Sequence, residues 1–178
     1  STAAIYANYA AKVQRMLDEI HLSIDDLKKL FGETRDNWIA SDRADWIAKN
    51  PLYPGVAEKL RDLGQRHFWC VITTKQERFV KEILSANQIE LADERIFGMD
   101  RKLGKPEILK GLKARHPGQP IYFTEDRLPA LEGVKKHPEL ADVKLFFALW
   151  GYNLAADHAV AAAQAIVLQQ LDTFLSDS

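Results

Sequence analysis

The sequence has one cysteine, no long apolar run and almost no net charge, and each shortage excludes a class of protein. With Cys70 as its single cysteine, the chain forms no internal disulfide, which excludes a disulfide-stapled secreted domain. No apolar run approaches the roughly 20 residues that cross a bilayer, and the amino end lacks the basic and apolar regions of a signal peptide. We therefore expect a cytoplasmic protein that does not bind membranes.

The charges are balanced, with 24 Lys and Arg against 25 Asp and Glu, a formal net charge of -1 and a pI near 6.5. This balance argues against binding to nucleic acid. A hydrophobic content of 47% over 178 residues is typical of an ordinary globular protein, with one domain or one domain and a subsidiary lobe. The oligomeric state stays open between monomer and homodimer.

One stretch organises the rest of the chain: the apolar run Phe68-Trp69-Cys70-Val71-Ile72 leads directly into Thr73-Thr74-Lys75. A continuous apolar run of this length predicts a strand over 68–73 that is buried on both faces of a parallel sheet. Cys70 is then interpreted as a small core hydrophobe. In open α/β sheets, ligands bind at the carboxyl ends of the strands, where Thr73 and Thr74 lie in this sequence.

The first fifty residues carry helical patterns only. Apolar residues recur at helical spacing over 3–20, and Ser23-Ile24-Asp25-Asp26 is a capping-box pattern that begins a second helix. Gly32 is predicted to end that helix, and Thr34 is predicted to cap a third one that stops before Asn50-Pro51. These patterns predict a small all-helical lobe.

After Pro51, apolar runs of strand length alternate with amphipathic stretches of helix length. This alternation predicts βαβ units and a parallel sheet with helices on both faces. We therefore expect an α/β fold, with a Rossmann-like doubly wound core over residues 51–178 and the helical lobe over 1–50. The predicted strands are 68–73, 121–124 and 143–149, with short apolar pieces at 95–98 and 166–168, and the predicted helices are 54–64, 76–87, 106–115, 128–136 and 155–165.

Two acids, Glu125 and Asp126, follow the predicted strand 121–124 and would share a rim of the sheet with Thr73-Thr74 and with Trp150-Gly151, which follow the predicted strand 143–149. Adjacent carboxylates repel each other unless a cation lies between them. Two oxygen ligands, with waters and a substrate phosphate, are the usual way in which proteins hold Mg²⁺. The alternative is that both acids only stabilise the amino end of the next helix. Spacing alone does not decide between these two roles.

Lys105 precedes Pro106, a residue well suited to the first turn of a helix. A cation at a helix amino end costs about 0.3–1 kcal/mol, and a bound anion would reverse that cost. Lys105 therefore indicates a phosphate site, although an exposed loop lysine is the plain alternative. Thr73 has a plain alternative too, because a hydroxyl at a strand end often only satisfies the backbone. The three features together, each at a strand–helix junction, are more specific than any one alone.

The order of these motifs resembles the haloacid dehalogenase (HAD) superfamily, in particular phosphoglycolate-phosphatase-like hydrolases with an inserted helical cap. The second motif of that superfamily is similar to Val71-Ile72-Thr73-Thr74-Lys75, the third to Gly104-Lys105-Pro106 and the fourth to Tyr122-Phe123-Thr124-Glu125-Asp126. The segment from Asn50 to Val56 resembles the return from the cap into the core. The resemblance spans roughly residues 51–153, and residues 1–50 match the cap in position and helicity only.

The resemblance implies a Mg²⁺-dependent phosphatase that acts on a small phosphorylated metabolite. Thr73 and Thr74 would contact the phosphate, and Lys105 would neutralise both the phosphate and the nucleophile. Asp126, assisted by Glu125, would hold Mg²⁺. The acid pair favours a phosphatase over a dehalogenase, because halide displacement in this superfamily does not use the metal.

The first motif of the superfamily, Asp-x-Asp on a strand ahead of the cap, has no counterpart, because only Ser1-Thr2 precede the predicted cap. Asp100 lacks a preceding apolar strand, so we do not assign it as the nucleophile. We expect the chain to be inactive, and the resemblance implies a missing strand between strands 68–73 and 121–124. The alternative is a non-catalytic relative of the phosphatase fold that binds a phosphorylated ligand or a protein partner.

Overall fold

The computed structural model describes residues 2–19 and 23–176, and the chain divides into two compact units, Ser1–Pro51 and Leu52–Ser178. The first unit contains helices α1 (Thr2–Glu19) and α2 (Ile24–Ala48). The helix predicted over 3–20 is confirmed as far as Glu19, and Ile20 lies outside the described residues.

The start of α2 follows from its first residues. The Asp26 N–H donates to Ser23 Oγ over 3.0 Å, and the Ser23 N–H donates to Asp26 Oδ2 over 3.0 Å. This reciprocal pair satisfies two of the backbone donors that a helix leaves unpaired at its amino end. The predicted capping box is confirmed.

The predicted break in this helix is wrong. α2 continues through both Gly32 and Thr34, and the Thr34 hydroxyl donates to the Leu30 carbonyl oxygen over 2.7 Å instead of capping a new helix. A single helical glycine costs only about 1 kcal/mol relative to alanine, which the surrounding turns offset. The backbone leaves helical geometry at Asp42 instead, where Asp42 Oδ1 accepts the Asp45 N–H over 2.9 Å.

The second unit alternates helices and strands along the chain. Its helices are α3 (Val56–Arg66), α4 (Glu77–Ala86), α5 (Lys105–Arg115), α6 (Leu128–Lys135), α7 (Ala155–Ala163) and α8 (Leu171–Ser176). Its strands are β1 (Val71–Ile72), β2 (Ile96–Phe97), β3 (Tyr122–Glu125), β4 (Lys144–Ala148) and β5 (Val167–Gln169). Gly64 was predicted to close α3, but the helix continues to Arg66, and the sequence patterns did not predict α8.

The strands form two parallel sheets where one sheet was expected. β1 pairs with β2, so that Val71 lies opposite Ile96. In the second sheet, β4 lies between β3 and β5, with Phe146 opposite Thr124 on one side and Val167 on the other. Every strand pair is parallel, and a helix separates each strand from the next. The predicted α/β class with parallel strands is confirmed.

The strand predicted over 68–73 is shorter and more exposed than expected. β1 covers only Val71 and Ile72, which are half-buried, and the Phe68 side chain is 47% exposed. Within the described residues, β1 pairs with β2 on one edge and with no strand on the other. An apolar run is enclosed on both faces only when neighbouring strands and helices surround it. The absence of a second neighbour accounts for the exposure.

A shared hydrophobic core joins the two sheets. Helix α5 contributes Leu109, which is 1% exposed, to a cluster that also contains Phe97 of β2 and Phe123 of β3. The half-buried side chains of Cys70 and Ile72 pack against the same cluster. The two sheets therefore belong to one packed unit. Among the helices of residues 2–19 and 23–176, none has the length and apolar character needed to cross a membrane.

Candidate functional site

The carboxyl ends of β1 and β3 border one cavity of about 800 Å³. All five residues that the sequence analysis proposed for the site line this cavity, namely Thr73, Thr74, Lys105, Glu125 and Asp126. β1, β3 and the amino end of α5 bring them together, because parallel strands place their carboxyl ends at the same side of the fold. The segment that follows β4 completes the cavity wall.

A partly buried ion pair lines the cavity. Lys105, the first residue of α5, pairs through its ammonium group with Glu125 Oε2. The Glu125 side chain is 6% exposed, and its other oxygen, Oε1, accepts the Arg127 N–H over 2.9 Å. Glu125 therefore binds the lysine in this structure, a contact that the proposed metal role did not anticipate.

The pKa of the Glu125 carboxyl is raised above its usual value. Burial is the main cause, because the charged form loses its hydration. The hydrogen bond and positive charge of Lys105 act in the opposite direction, and a hydrogen bond with Asp126 raises the pKa further. Removing the lysine would therefore leave a buried acid that is harder still to ionise.

Asp126 is held by the backbone of the segment after β4. Its Oδ2 accepts the Tyr152 N–H over 2.8 Å, and the backbone of Gly151 lies directly against its side chain. Asn153 fixes the same segment, because its side-chain amide donates to the Ala148 carbonyl oxygen over 2.9 Å. The carboxylate of Asp126 therefore has a defined position at the cavity.

Thr73 and Thr74 line the cavity just after β1. The Thr73 N–H donates to the Phe97 carbonyl oxygen over 2.9 Å, and Thr73 Oγ1 accepts the Lys75 N–H over 3.1 Å. The second contact agrees with the alternative considered for Thr73, in which its hydroxyl satisfies a backbone group. The same hydroxyl still has a hydrogen to donate to an anion. Thr74 is exposed.

The carboxylates of Glu125 and Asp126 are hard oxygen donors of the kind that Mg²⁺ prefers. No cluster of three or more His, Cys, Asp and Glu side chains suited to a metal occurs within residues 2–19 and 23–176. Mg²⁺ commonly binds to only one or two carboxylates and completes its shell with waters and substrate phosphate oxygens. Asp126 and Glu125 therefore supply oxygen donors of the type that Mg²⁺ binds.

Two other side chains with nucleophile chemistry are unsuited to attack in this cavity. Burial raises the pKa of the Cys70 thiol to about 11, so the thiol stays protonated at neutral pH. Asp100 does not line the cavity, and its Oδ2 accepts the Glu77 N–H over 2.7 Å at the amino end of α4. Asp100 is thus a cap for α4 supplied from another part of the chain.

The sequence analysis missed the aromatic and basic side chains at the cavity. Tyr53, Arg127 and Tyr152 line it beside Trp150, which was expected at this rim, and the Arg127 guanidinium carbon lies 5.4 Å from the centre of the Tyr152 ring. Arg127 follows the acid pair directly, and Tyr152 follows the end of β4, so their positions at strand ends were the available signal. Comparisons with protein-family models, curated proteins and solved structures found no match to this chain. The chemistry of the cavity is therefore the basis for assigning a function.

Proposed function

We propose that the cavity binds the phosphate group of a small phosphorylated metabolite, and that the protein is a Mg²⁺-dependent, phosphatase-like hydrolase of the cytoplasm. The observation that carries this proposal is the meeting of Thr73, Lys105 and Asp126 at one cavity. To bind a phosphate ester together with Mg²⁺, a site brings together a hydrogen-bond donor, a cation and a metal ligand. Phosphoryl transfer depends mainly on such positioning and charge neutralisation.

Lys105 is the main phosphate ligand in this proposal. It begins α5, an eleven-residue helix, so its ammonium group and the first backbone N–H groups of the helix belong to the same end. Helix amino ends and lysine side chains both attract phosphate. The present partner of Lys105, Glu125, already supplies a carboxylate oxygen to this ammonium. A phosphate oxygen would share or replace that contact.

Asp126, with Glu125, would hold Mg²⁺ beside the phosphate. The ion would supply positive charge to the phosphate oxygens when it is bound. The role of this chain is to present oxygen donors at a fixed place, which the Tyr152 N–H and the Gly151 backbone support through their contacts with Asp126.

The attacking carboxylate would come from a strand that is not part of residues 1–178. Within the described residues, β1 pairs only with β2 and β3 pairs only with β4, so each has one edge without a partner strand. The carboxyl ends of both strands line the same cavity. A parallel strand between them would pair with both edges, complete a Rossmann-like doubly wound core and bring a carboxylate towards Lys105.

A non-catalytic phosphate-binding module is the second candidate. It is favoured by the present contacts of the two cavity carboxylates, since Glu125 pairs with Lys105 and Asp126 accepts the Tyr152 N–H. Both candidates require phosphate binding, and they differ in whether turnover appears once a carboxylate strand is supplied.

The test is calorimetric titration of inorganic phosphate, with Mg²⁺ present, into the chain and its variants. We expect Lys105→Ala to weaken binding about tenfold or more, because a charge-assisted contact is lost. Lys110→Ala is the matched control, since Lys110 lies on the same helix and pairs with Glu139 away from the cavity. Thr73→Val keeps the Lys105–Glu125 ion pair and removes the hydroxyl with its contact to the Lys75 N–H, so it tests the site without taking Lys105 away from Glu125. Equal phosphate binding by the wild type, Lys105→Ala and Thr73→Val would overturn the proposal.

A further inference from the structure

The cavity has two chemically different ends. Its inner side chains are polar and sheltered, with Glu125 buried and Lys105 and Thr73 partly buried. Its outer side chains include Tyr53, which is 49% exposed, and Tyr152, which is 70% exposed. A ligand whose charged group reaches the inner side chains would leave its remaining atoms beside these two rings.

The tyrosine at position 152 has a backbone anchor and an exposed ring. Its N–H is fixed to Asp126 Oδ2, and its ring carries the Arg127 guanidinium 5.4 Å from the ring centre. An arginine held over a tyrosine ring forms a weakly hydrated cation–ring pair. Large aromatic side chains so exposed at a cavity mark ligand-contact surface, because tyrosine gives contact area at a low cost in conformational entropy.

Trp150 adds a third ring to the lining of the cavity. It is half-buried, and its ring centre lies 5.5 Å from that of Phe174 in α8, which restricts its motion. The cavity therefore combines an anion site with aromatic rings from two segments of the second unit. Tyr53 comes from the segment before α3, and Trp150 and Tyr152 come from the segment after β4. Its volume of about 800 Å³ is within the ordinary range for a small-molecule site.

We propose that the ligand is a phosphate monoester whose other half carries a planar aromatic or heteroaromatic ring, which stacks on Tyr152 with Arg127 behind it. This inference rests on the proposed function for its phosphate end and adds the chemical class of the remaining part. An aliphatic ester of the same size would fill the space but would not gain the ring–ring and cation–ring contacts.

The experiment compares two esters of similar size, phenyl phosphate and cyclohexyl phosphate, with inorganic phosphate as the reference. Each is titrated with Mg²⁺ into the full chain by calorimetry, under conditions in which no turnover occurs. We expect phenyl phosphate to bind about five- to tenfold more tightly than cyclohexyl phosphate, since stacking of a ring on an aromatic side chain is typically worth that much or more.

Variants locate the effect. Tyr152→Ala and Tyr152→Leu should remove most of the preference for the phenyl ester while inorganic phosphate binds as before, because the backbone N–H to Asp126 is retained. Tyr122→Ala is the matched control, since Tyr122 is 59% exposed and does not line the cavity. It should keep the preference.

The outcomes separate the two proposals. If phosphate binds but the two esters bind equally, or if Tyr122→Ala reduces the preference as much as Tyr152→Ala, the aromatic-ligand inference is overturned and the phosphate site stands. If the wild-type chain binds neither inorganic phosphate nor the esters, the proposed function itself fails and the inference fails with it.

Discussion

The backbone of Gly151 lies so close to Asp126 that a Cβ atom on Gly151 would be 2.5 Å from Asp126 Oδ2. The next residue, Tyr152, donates its N–H to that same oxygen over 2.8 Å. The candidate metal ligand is thus held between a hydrogen bond and a close backbone contact, and position 151 has room only for hydrogen.

Gly151→Ala should therefore displace Asp126. We expect the free energy of unfolding to fall by about 1–3 kcal/mol, as it does when atoms are forced into a packed site. Gly111→Ala is the control, because a Cβ at this helical position meets nothing within 4 Å. That substitution should stabilise the protein by roughly 0.5–1 kcal/mol. Urea unfolding measures both, and a Gly151→Ala protein as stable as Gly111→Ala would contradict the close contact.

Asp126→Asn should weaken Mg²⁺ binding by about an order of magnitude or more, because a hard cation loses a charged oxygen ligand. Calorimetric titration of Mg²⁺, or of Mn²⁺ for a larger signal, measures the change. Asp157→Asn serves as the control, since Asp157 accepts the Leu154 N–H at the start of α7 and does not line the cavity. Equal Mg²⁺ binding by wild type and Asp126→Asn would show that Glu125 and Asp126 serve the structure and do not bind the metal.

Glu125 should make the unfolding free energy depend on pH. Its folded pKa is raised, so its contribution to stability is fully present below the usual glutamate pKa of about 4.3 and is lost as the pH rises through the raised value. One such group changes the unfolding free energy by at most about 1.4 kcal/mol per pH unit. Glu125→Gln should remove this dependence of the unfolding free energy on pH, measured by urea unfolding between about pH 4 and pH 7.

Glu139 provides a control of opposite sign for that experiment. A hydrogen bond from Lys110 lowers the pKa of this exposed carboxyl, so its stabilising effect is present above the usual glutamate pKa and is lost as the pH falls. Glu139→Gln should leave the Glu125-dependent slope intact. A Glu125→Gln protein with the wild-type slope would place the pH dependence elsewhere.

The chain should not hydrolyse 4-nitrophenyl phosphate above the uncatalysed background. The only carboxylates that line the cavity within the described residues are Glu125 and Asp126, and the proposed function assigns both to Mg²⁺ and not to attack. A nucleophile needs a free, positioned electron pair opposite the phosphate. Release of 4-nitrophenol, followed by absorbance, measures turnover. Mg²⁺-dependent turnover that disappears in Lys105→Ala would show that one of these two acids attacks.

Ser23→Ala should destabilise the first unit by about 1 kcal/mol, the usual cost of losing an N-cap side chain. Ser23→Asp should retain most of the stability, because aspartate caps helices equally well. Circular dichroism during urea unfolding reports the loss of helix. If the alanine and aspartate variants at position 23 unfold at the same urea concentration, the capping hydrogen bonds contribute nothing measurable to stability.

The features predicted correctly from the sequence are those that depend on a few neighbouring residues. The capping box at Ser23 needs only a side chain three residues away, and the start of α5 needs only Pro106. The assembly of Thr73, Lys105 and Asp126 at one cavity was also predictable, because parallel strands bring their carboxyl ends together whatever their spacing.

The features predicted wrongly depend on partners far along the chain. β1 is short and exposed because its second edge has no neighbouring strand within the described residues, which its own apolar run cannot reveal. The pairing of Lys105 with Glu125 joins side chains twenty residues apart, and the spacing of the acids gave no indication of it. Gly32 stays helical because one glycine is too weak a signal to end a helix of twenty-five residues.

Within residues 2–19 and 23–176, one edge of β3 has no partner strand, and this edge also affects how the protein behaves at high concentration. Backbone N–H and C=O groups along such an edge are a template for strands of other molecules, and charged side chains are the usual protection. β3 begins with Tyr122, Phe123 and Thr124 and carries no charge before Glu125. The rate of edge-to-edge pairing between two copies rises with the square of the protein concentration. We therefore expect concentrated samples to form β-rich aggregates. An extended peptide that occupies this edge would act as an inhibitor of that aggregation.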